Sequence, residues 1–162
     1  MCGIVGLIRF DEKKICTKQL QIFTQSLHHR GPDGSNIFVD RDRTVGLGHT
    51  RTVTFDTSLN GIQPMSFMDG RYHITFNGDI LNFLEIREEL KALGYKFKSD
   101  TDTEVILAAY SKWGDECQYK FNGDWAFAIW DQLKKKLFIS RDRFGEKPLY
   151  YLKTDKYFIF AS

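Results

Sequence analysis

A chain of 162 residues, 42% hydrophobic and 15% aromatic with 13 glycines and three prolines, excludes a disordered or collagen-like protein and can bury roughly two thirds of its unfolded surface in one core. Its 23 Lys and Arg against 21 Asp and Glu leave a net charge of +2 with the signs interleaved, so neither nucleic acid nor an anionic membrane is favoured as a partner and a small molecule is expected. Three cysteines, Cys2, Cys16 and Cys117, at unrelated spacings fit neither a disulfide framework nor a zinc site; a reducing compartment, the cytoplasm by default, and no metal are expected.

In chain order, Cys2 to Phe10 is rich in Ile and Val and reads as a buried strand that begins at the amino terminus itself. Its apolar run from Ile4 to Ile8 is interrupted by Gly6 and followed by charge, too short for a signal peptide or a membrane span. Thr17 can cap a helix to about Arg30, with Leu20, Phe23 and Leu27 on one stripe. Strands follow at Ser35 to Val39, Val45 to His49 and Tyr72 to Phe76. Asn82 with Glu85 is a cap pattern for a second helix carrying Phe83, Ile86, Leu90 and Leu93 and stopping at Gly94. Thr101 with Glu104 is a capping-box pattern for a third, with Ile106, Ala109, Tyr110 and Trp113 on its apolar face before Gly114. Strands at Trp125 to Trp130, Leu137 to Ser140, Leu149 to Leu152 and Tyr157 to Phe160 are short and joined by turn-like stretches, which favours antiparallel hairpins. These elements suggest an α+β layered sandwich without an internal repeat or linker.

A cysteine behind the initiator Met becomes an N-terminal nucleophile once Met1 is removed, and its own α-amine, with a reference pKa of about 7.7 to 8.0, can take the thiol proton as general base. On position alone, Cys2 as a small buried hydrophobe weighs at least as much. Seen singly, Arg51 and Asp102 read as solvated charges, Asp102 as favouring a helix N-terminus, and Asn77-Gly78 as an ordinary turn.

Taken together, Met1-Cys2-Gly3-Ile4-Val5-Gly6, Arg30-Gly31-Pro32-Asp33, Gly48-His49-Thr50-Arg51, Gln63-Pro64-Met65, Asn77-Gly78-Asp79-Ile80-Leu81-Asn82, Thr101-Asp102-Thr103-Glu104-Val105-Ile106, Phe121-Asn122-Gly123-Asp124-Trp125-Ala126-Phe127-Ala128, Arg141 through Tyr151, and Phe160-Ala161-Ser162 resemble the glutaminase domain of class II glutamine amidotransferases over essentially the whole chain. The asparagine synthetase type is the most similar branch. The resemblance implies an N-terminal-nucleophile fold, four layers αββα with two antiparallel sheets, in one domain over residues 1–162. It implies hydrolysis of L-glutamine through a Cys2 thioester, with the Asn77 side-chain NH2 and the Gly78 backbone N–H as the oxyanion hole. Arg51 would hold the substrate α-carboxylate and Asp102 its α-ammonium, with Asp79 beside them in the substrate site. Arg30 to Asp33 and Arg141 to Tyr151 are expected to shape loops around the site, and His28 and His29 to cap or pack a helix end.

Two departures bear on the acceptor. Asp79 stands where the asparagine synthetase type usually has Glu, and Thr52 where it usually has Leu; Gly48 to Arg51 and Thr101 to Glu104 are also similar to the glucosamine-6-phosphate synthase branch. In such synthetases the segment matching Phe160-Ala161-Ser162 leads into an ATP-using domain, so this chain is expected to be an excised glutaminase domain or a stand-alone glutaminase that feeds a synthetase partner. No cofactor is expected in this domain; ATP and Mg2+ belong to the synthetase, and a homodimer is compatible with the full-length protein. The competing expectations are a glutaminase serving another acceptor, a same-fold enzyme acting on another amide, and an inactive domain that binds glutamine or docks onto a synthetase.

Overall fold

The structure, a computed structural model, describes residues 1–52 and 61–162. The N-terminal strand β1 (Gly3–Arg9) is followed by α1 (Thr17–Gln25), β2 (Gly34–Val39), β3 (Val45–Arg51), β4 (Met65–Phe67) and β5 (Tyr72–Ile80). The helices α2 (Phe83–Ala92) and α3 (Asp102–Trp113) come next, then β6 (Gly123–Asp131), β7 (Lys136–Arg141), β8 (Tyr150–Lys153) and β9 (Tyr157–Ala161). One sheet has the order β2-β3-β1-β9-β8 and the other β4-β5-β6-β7, with every neighbouring pair antiparallel.

The alternation of side chains along a strand explains the layering. In the run from Trp125 to Trp130, Ala126, Ala128 and Trp130 face the first sheet, where they pack with Ile4, Val45, Leu47 and Phe160. The intervening Phe127 and Ile129 face the other way, into a second core with Phe76, Ile86, Leu90 and the stretch from Val105 to Ala109. A strand buried on both faces reads as a continuous apolar run, as this one does. On the outer face of the first sheet Leu20 of α1 packs with Leu7 and Ile15. The layers are therefore α1, first sheet, second sheet, and α2 with α3, the αββα sandwich expected from the resemblance.

Local chemistry moved several element ends. The first helix stops at Gln25 rather than Arg30, and a single 3-10 turn, His28–Arg30, follows. The Leu27 carbonyl accepts from Arg30 N at 2.9 Å and from Thr50 Oγ1 at 3.1 Å, so the chain tightens and docks on β3 instead of continuing. Thr17 is the first helical residue and not the cap; Cys16 occupies that position without a side-chain cap bond. Asn82 does precede α2, but its side chain does not cap: Nδ2 donates to Lys120 O at 2.9 Å and Oδ1 accepts from Asn122 N at 2.8 Å. For α3 the expected cap is present, with Thr101 Oγ1 accepting from Glu104 N at 3.3 Å. The Glu104 carboxylate instead accepts from Ser99 N at 2.7 Å and Lys98 N at 2.9 Å, which fastens the segment leading into the helix.

The strand β5 runs four residues past the expected end at Phe76, through Asn77, Gly78 and Asp79 to Ile80. Gly78 makes this possible. Its φ is +148, and a Cβ there would collide with the Asp124 carbonyl oxygen and the Trp125 Cα of the paired strand. The short strand β4 carried too little sequence to be read as a strand.

Candidate active site

Because β1 lies between β3 and β9, the amino terminus is held in the middle of a sheet, where pairing on both sides prevents the usual fraying. The register Gly3 with Thr50 brings Cys2 level with Arg51 at one end of the sandwich. Gly3 N donates to Thr50 Oγ1 at 3.1 Å, and Arg30 Nε donates to the Cys2 carbonyl at 3.4 Å, so both polar groups of the Cys2–Gly3 peptide are anchored. Cys2 itself is half-buried. Met1 is exposed, with its α-ammonium 3.3 Å from Thr52 Oγ1, which in turn donates to Arg30 O at 2.8 Å.

This end of the sandwich opens into a cleft of about 310 Å³ whose walls include Cys2, Arg51, Gly78, Asp79 and Asp102, five of the six residues singled out from the sequence. They arrive from the residue ahead of β1, from β3 and β5, and from the start of α3. The sixth, Asn77, lies between Phe76 and Gly78, which both line the cleft. Alternation along β5 turns Asn77 away from the helices and toward the first sheet, the same side as Thr75, whose Oγ1 donates to Gly48 O at 2.9 Å. Asn77 is 2% exposed and its Nδ2 has no hydrogen-bond partner among the described residues. Such a buried orphan donor typically costs about 1–3 kcal/mol and calls for a functional reason.

Burial is the main cause that pushes the Asp102 carboxyl up, to about 6; the nearby Asp79 adds to it, while a hydrogen bond accepted from Ile80 N at 3.1 Å opposes it. With the folded value above the unfolded one, ionised Asp102 costs stability above pH 6, and the cost fades as pH falls toward 3.8. Asp102→Asn, which can still accept from Ile80 N, is expected to stabilise the chain at pH 8 by on the order of 2–3 kcal/mol, or roughly 4–12 °C in Tm, and by little near pH 4. Thermal melts at the two pH values check this.

The walls also carry His49, Gln63, Phe83, Thr101 and Thr103, which sequence reading had not assigned to the site. His49 and Gln63 sat inside quoted motifs, and the strand alternation that buries both Leu47 and His49 was the available signal. Burial holds the His49 imidazole down to about 4 although its Nε2 lies 3.2 Å from the Phe76 carbonyl. His28 and His29 are exposed in the 3-10 turn. Between Arg141 at the end of β7 and Tyr150 at the start of β8 the chain forms a loop around Asp142, whose carboxylate accepts from Phe144, Glu146 and Lys147 N, each at 3.0 Å. Lys147 ties that loop to β6 through Asp124 at 2.6 Å. Among the described residues no group of three or more His, Cys, Asp or Glu stands close enough to hold a metal ion, and no helix is long and apolar enough to cross a membrane.

Comparison with known proteins gives the same direction. The chain is 42% identical over 168 residues to glutamine-hydrolysing asparagine synthetase 1 of Bacillus subtilis, covering 100% of this chain and 26% of that protein. It is 39% identical over 165 residues to asparagine synthetase 3 of the same organism, again over 100% and 26%. It is also 32% identical over 162 residues to amidase chry2 of Gibberella zeae, covering 93% of this chain and 24% of that one. The chain thus spans about a quarter of these relatives' length. Glutamine phosphoribosylpyrophosphate amidotransferase of B. subtilis matches in structure with a TM-score of 0.78 over 99% of this chain and 41% of that one, at 18% identity, which establishes the N-terminal-nucleophile hydrolase fold. A family model described as a glutamine amidotransferase domain matches residues 1–162, and the chain belongs to that family.

Proposed function

We propose that this chain hydrolyses L-glutamine to L-glutamate and ammonia through a thioester on Cys2, which becomes the N-terminal residue when an aminopeptidase removes the exposed Met1. The observation that carries this reading is one cleft that gathers Cys2, Arg51, Gly78, Asp79 and Asp102 beside the orphaned Asn77 Nδ2. The Cys2 Sγ attacks the side-chain amide carbon, and the thiol proton passes to the residue's own α-amine. The tetrahedral oxyanion takes hydrogen bonds from Asn77 Nδ2 and Gly78 N–H. As the C–N bond breaks, the proton moves from the α-amine to the departing nitrogen and ammonia leaves. Water then adds to the thioester, the C–S bond breaks, glutamate leaves as the product and the free thiol is restored.

Arg51 and Asp102 select a free amino acid. The guanidinium pairs with the α-carboxylate in fork geometry, and ionised Asp102 pairs with the α-ammonium. Since the Asp102 carboxyl titrates at about 6, KM for glutamine rises as pH falls through that value and the anion is lost. The likeness to glutamine-hydrolysing asparagine synthetases supports ammonia supply to an amidation outside this domain; ATP and Mg2+ would be used there, and the cytoplasm is the compartment proposed. The similar amidase supports the same domain serving a different acceptor.

Intact mass before and after 6-diazo-5-oxo-norleucine, with an ammonia assay alongside, tests the proposal. Loss of Met1, a single adduct on Cys2 and glutamine-dependent ammonia release are expected. A processed chain with neither adduct nor ammonia release overturns it.

A further inference from the structure

The strand β5 is flanked on its outer edge by β4 only as far as Met65 opposite Ile74. Two residues further along, Phe76 directs its backbone N–H and C=O to the same edge, where no strand among the described residues pairs with them. Both groups are nonetheless satisfied, each by a side chain. The Phe76 N–H donates to Gln63 Oε1 at 2.7 Å, and the Phe76 carbonyl lies 3.2 Å from His49 Nε2. Gln63 is the residue that the β4 register would place opposite Phe76, so its side chain stands in for the missing ladder. His49 reaches across from β3 of the other sheet.

The donor and acceptor roles are determined. A carbonyl only accepts, so His49 Nε2 carries the proton, and burial keeps the ring neutral down to a pH of about 4. The Phe76 N–H fixes the orientation of the Gln63 amide, which leaves Nε2 to donate to Thr103 Oγ1 at 3.3 Å, next to Asp102 in the first turn of α3. Both side chains are buried, at 2% and 7% exposure, and neither belongs to an apolar core cluster. The carbonyl that His49 holds belongs to the peptide whose nitrogen is that of Asn77, so its orientation sets the direction of the Asn77 side chain.

We propose that His49 and Gln63 are positioning residues that clamp Phe76 from two layers of the sandwich and thereby aim the Asn77 NH2 into the cleft as a preorganised donor. This rests on the oxyanion role given to Asn77 above. Such a device confers rate more than affinity, because a donor displaced by about 1 Å loses on the order of 100-fold in the transition state and makes no ground-state contact to lose.

The test uses His49→Leu, His49→Gln and Gln63→Leu in the 162-residue chain. Glutamine turnover, KM and the side-chain NH2 resonances of Asn77 in 15N-labelled protein are measured for each. The leucine variants are expected to lower kcat by about 10-fold to 100-fold with KM within about threefold, and to shift or broaden the Asn77 NH2 signals. His49→Gln keeps an amide N–H near the position of Nε2 and is expected to recover most of the loss. The double variant is expected to fall short of the product of the single effects, since both residues hold one backbone unit. If one leucine variant does not fold, the other carries the test. Unchanged kcat and unchanged Asn77 signals in a folded leucine variant overturn the clamp, as does a rise in KM that matches the fall in kcat. If the unsubstituted chain releases no ammonia, the function proposal fails, while the Asn77 signals still decide on the clamp.

Discussion

Cys2→Ala is expected to lower glutamine hydrolysis by at least about 10⁴-fold while glutamine still binds with a Kd within about threefold of the original. The thiol supplies the only covalent bond between enzyme and substrate in the proposed sequence, and the alternative, attack by water, lacks a nucleophile held at the amide carbon. In the proposed function binding rests on Arg51 and Asp102, from other elements, which the substitution does not touch. The backbone at position 2 is held through its carbonyl by Arg30 and through the next residue by Thr50, not through the sulfur, so alanine keeps the terminus in place. Alanine is also small enough for Met1 to be removed. Ammonia release and calorimetric titration with glutamine separate the two quantities; activity equal to that of the original chain would sink the nucleophile assignment.

Asn77→Ala is the second large effect, an expected loss of about 100-fold to 1,000-fold in kcat with little change in KM, the usual consequence of removing one oxyanion donor. The strained economy of this residue makes the prediction sharp. A structural asparagine at 2% exposure would have its NH2 satisfied, and truncating it would destabilise the fold. Here the resting protein bears the cost of the orphan donor, and truncation exchanges that cost for a small cavity. The Tm of Asn77→Ala is therefore expected to stay within a few degrees of the original. Asn77→Asp is expected to be worse for turnover than Asn77→Ala, because it removes the donor and places a negative charge where the oxyanion develops. Steady-state kinetics with thermal melts on both variants check this, and an Asn77→Ala chain that loses stability but retains kcat would return Asn77 to a structural role.

The strained budget of charge at the site follows the same logic. Asp102 is half-buried near Asp79 and is held ionisable at a stability cost, which a substrate ammonium would relieve. Asp102 lines the cleft, and Asn77, with its orphaned donor, lies between two residues that line it.

Much of this site was legible in the sequence because it is made of residues whose chemistry is local. A cysteine at position 2 ahead of a strand pattern, an Asn-Gly pair and the Thr101 and Glu104 cap are each visible within a few residues, and the ordered motifs tied them to one family. Periodicity alone located the helices and most strands, since burial on one face imposes the 3.6 and 2.0 residue repeats. The end of α1 and the extent of β5 were not legible. They depend on Thr50 reaching the Leu27 carbonyl across the fold and on β6 pressing against Gly78, contacts between residues far apart in the chain. Only the tertiary structure placed His49 from one sheet and Gln63 from the edge of the other on the two polar groups of Phe76. A hydrogen bond between layers leaves no periodic trace in either strand, so the sequence determined which chemistry is present, and the packing of two sheets decided how its donors are aimed.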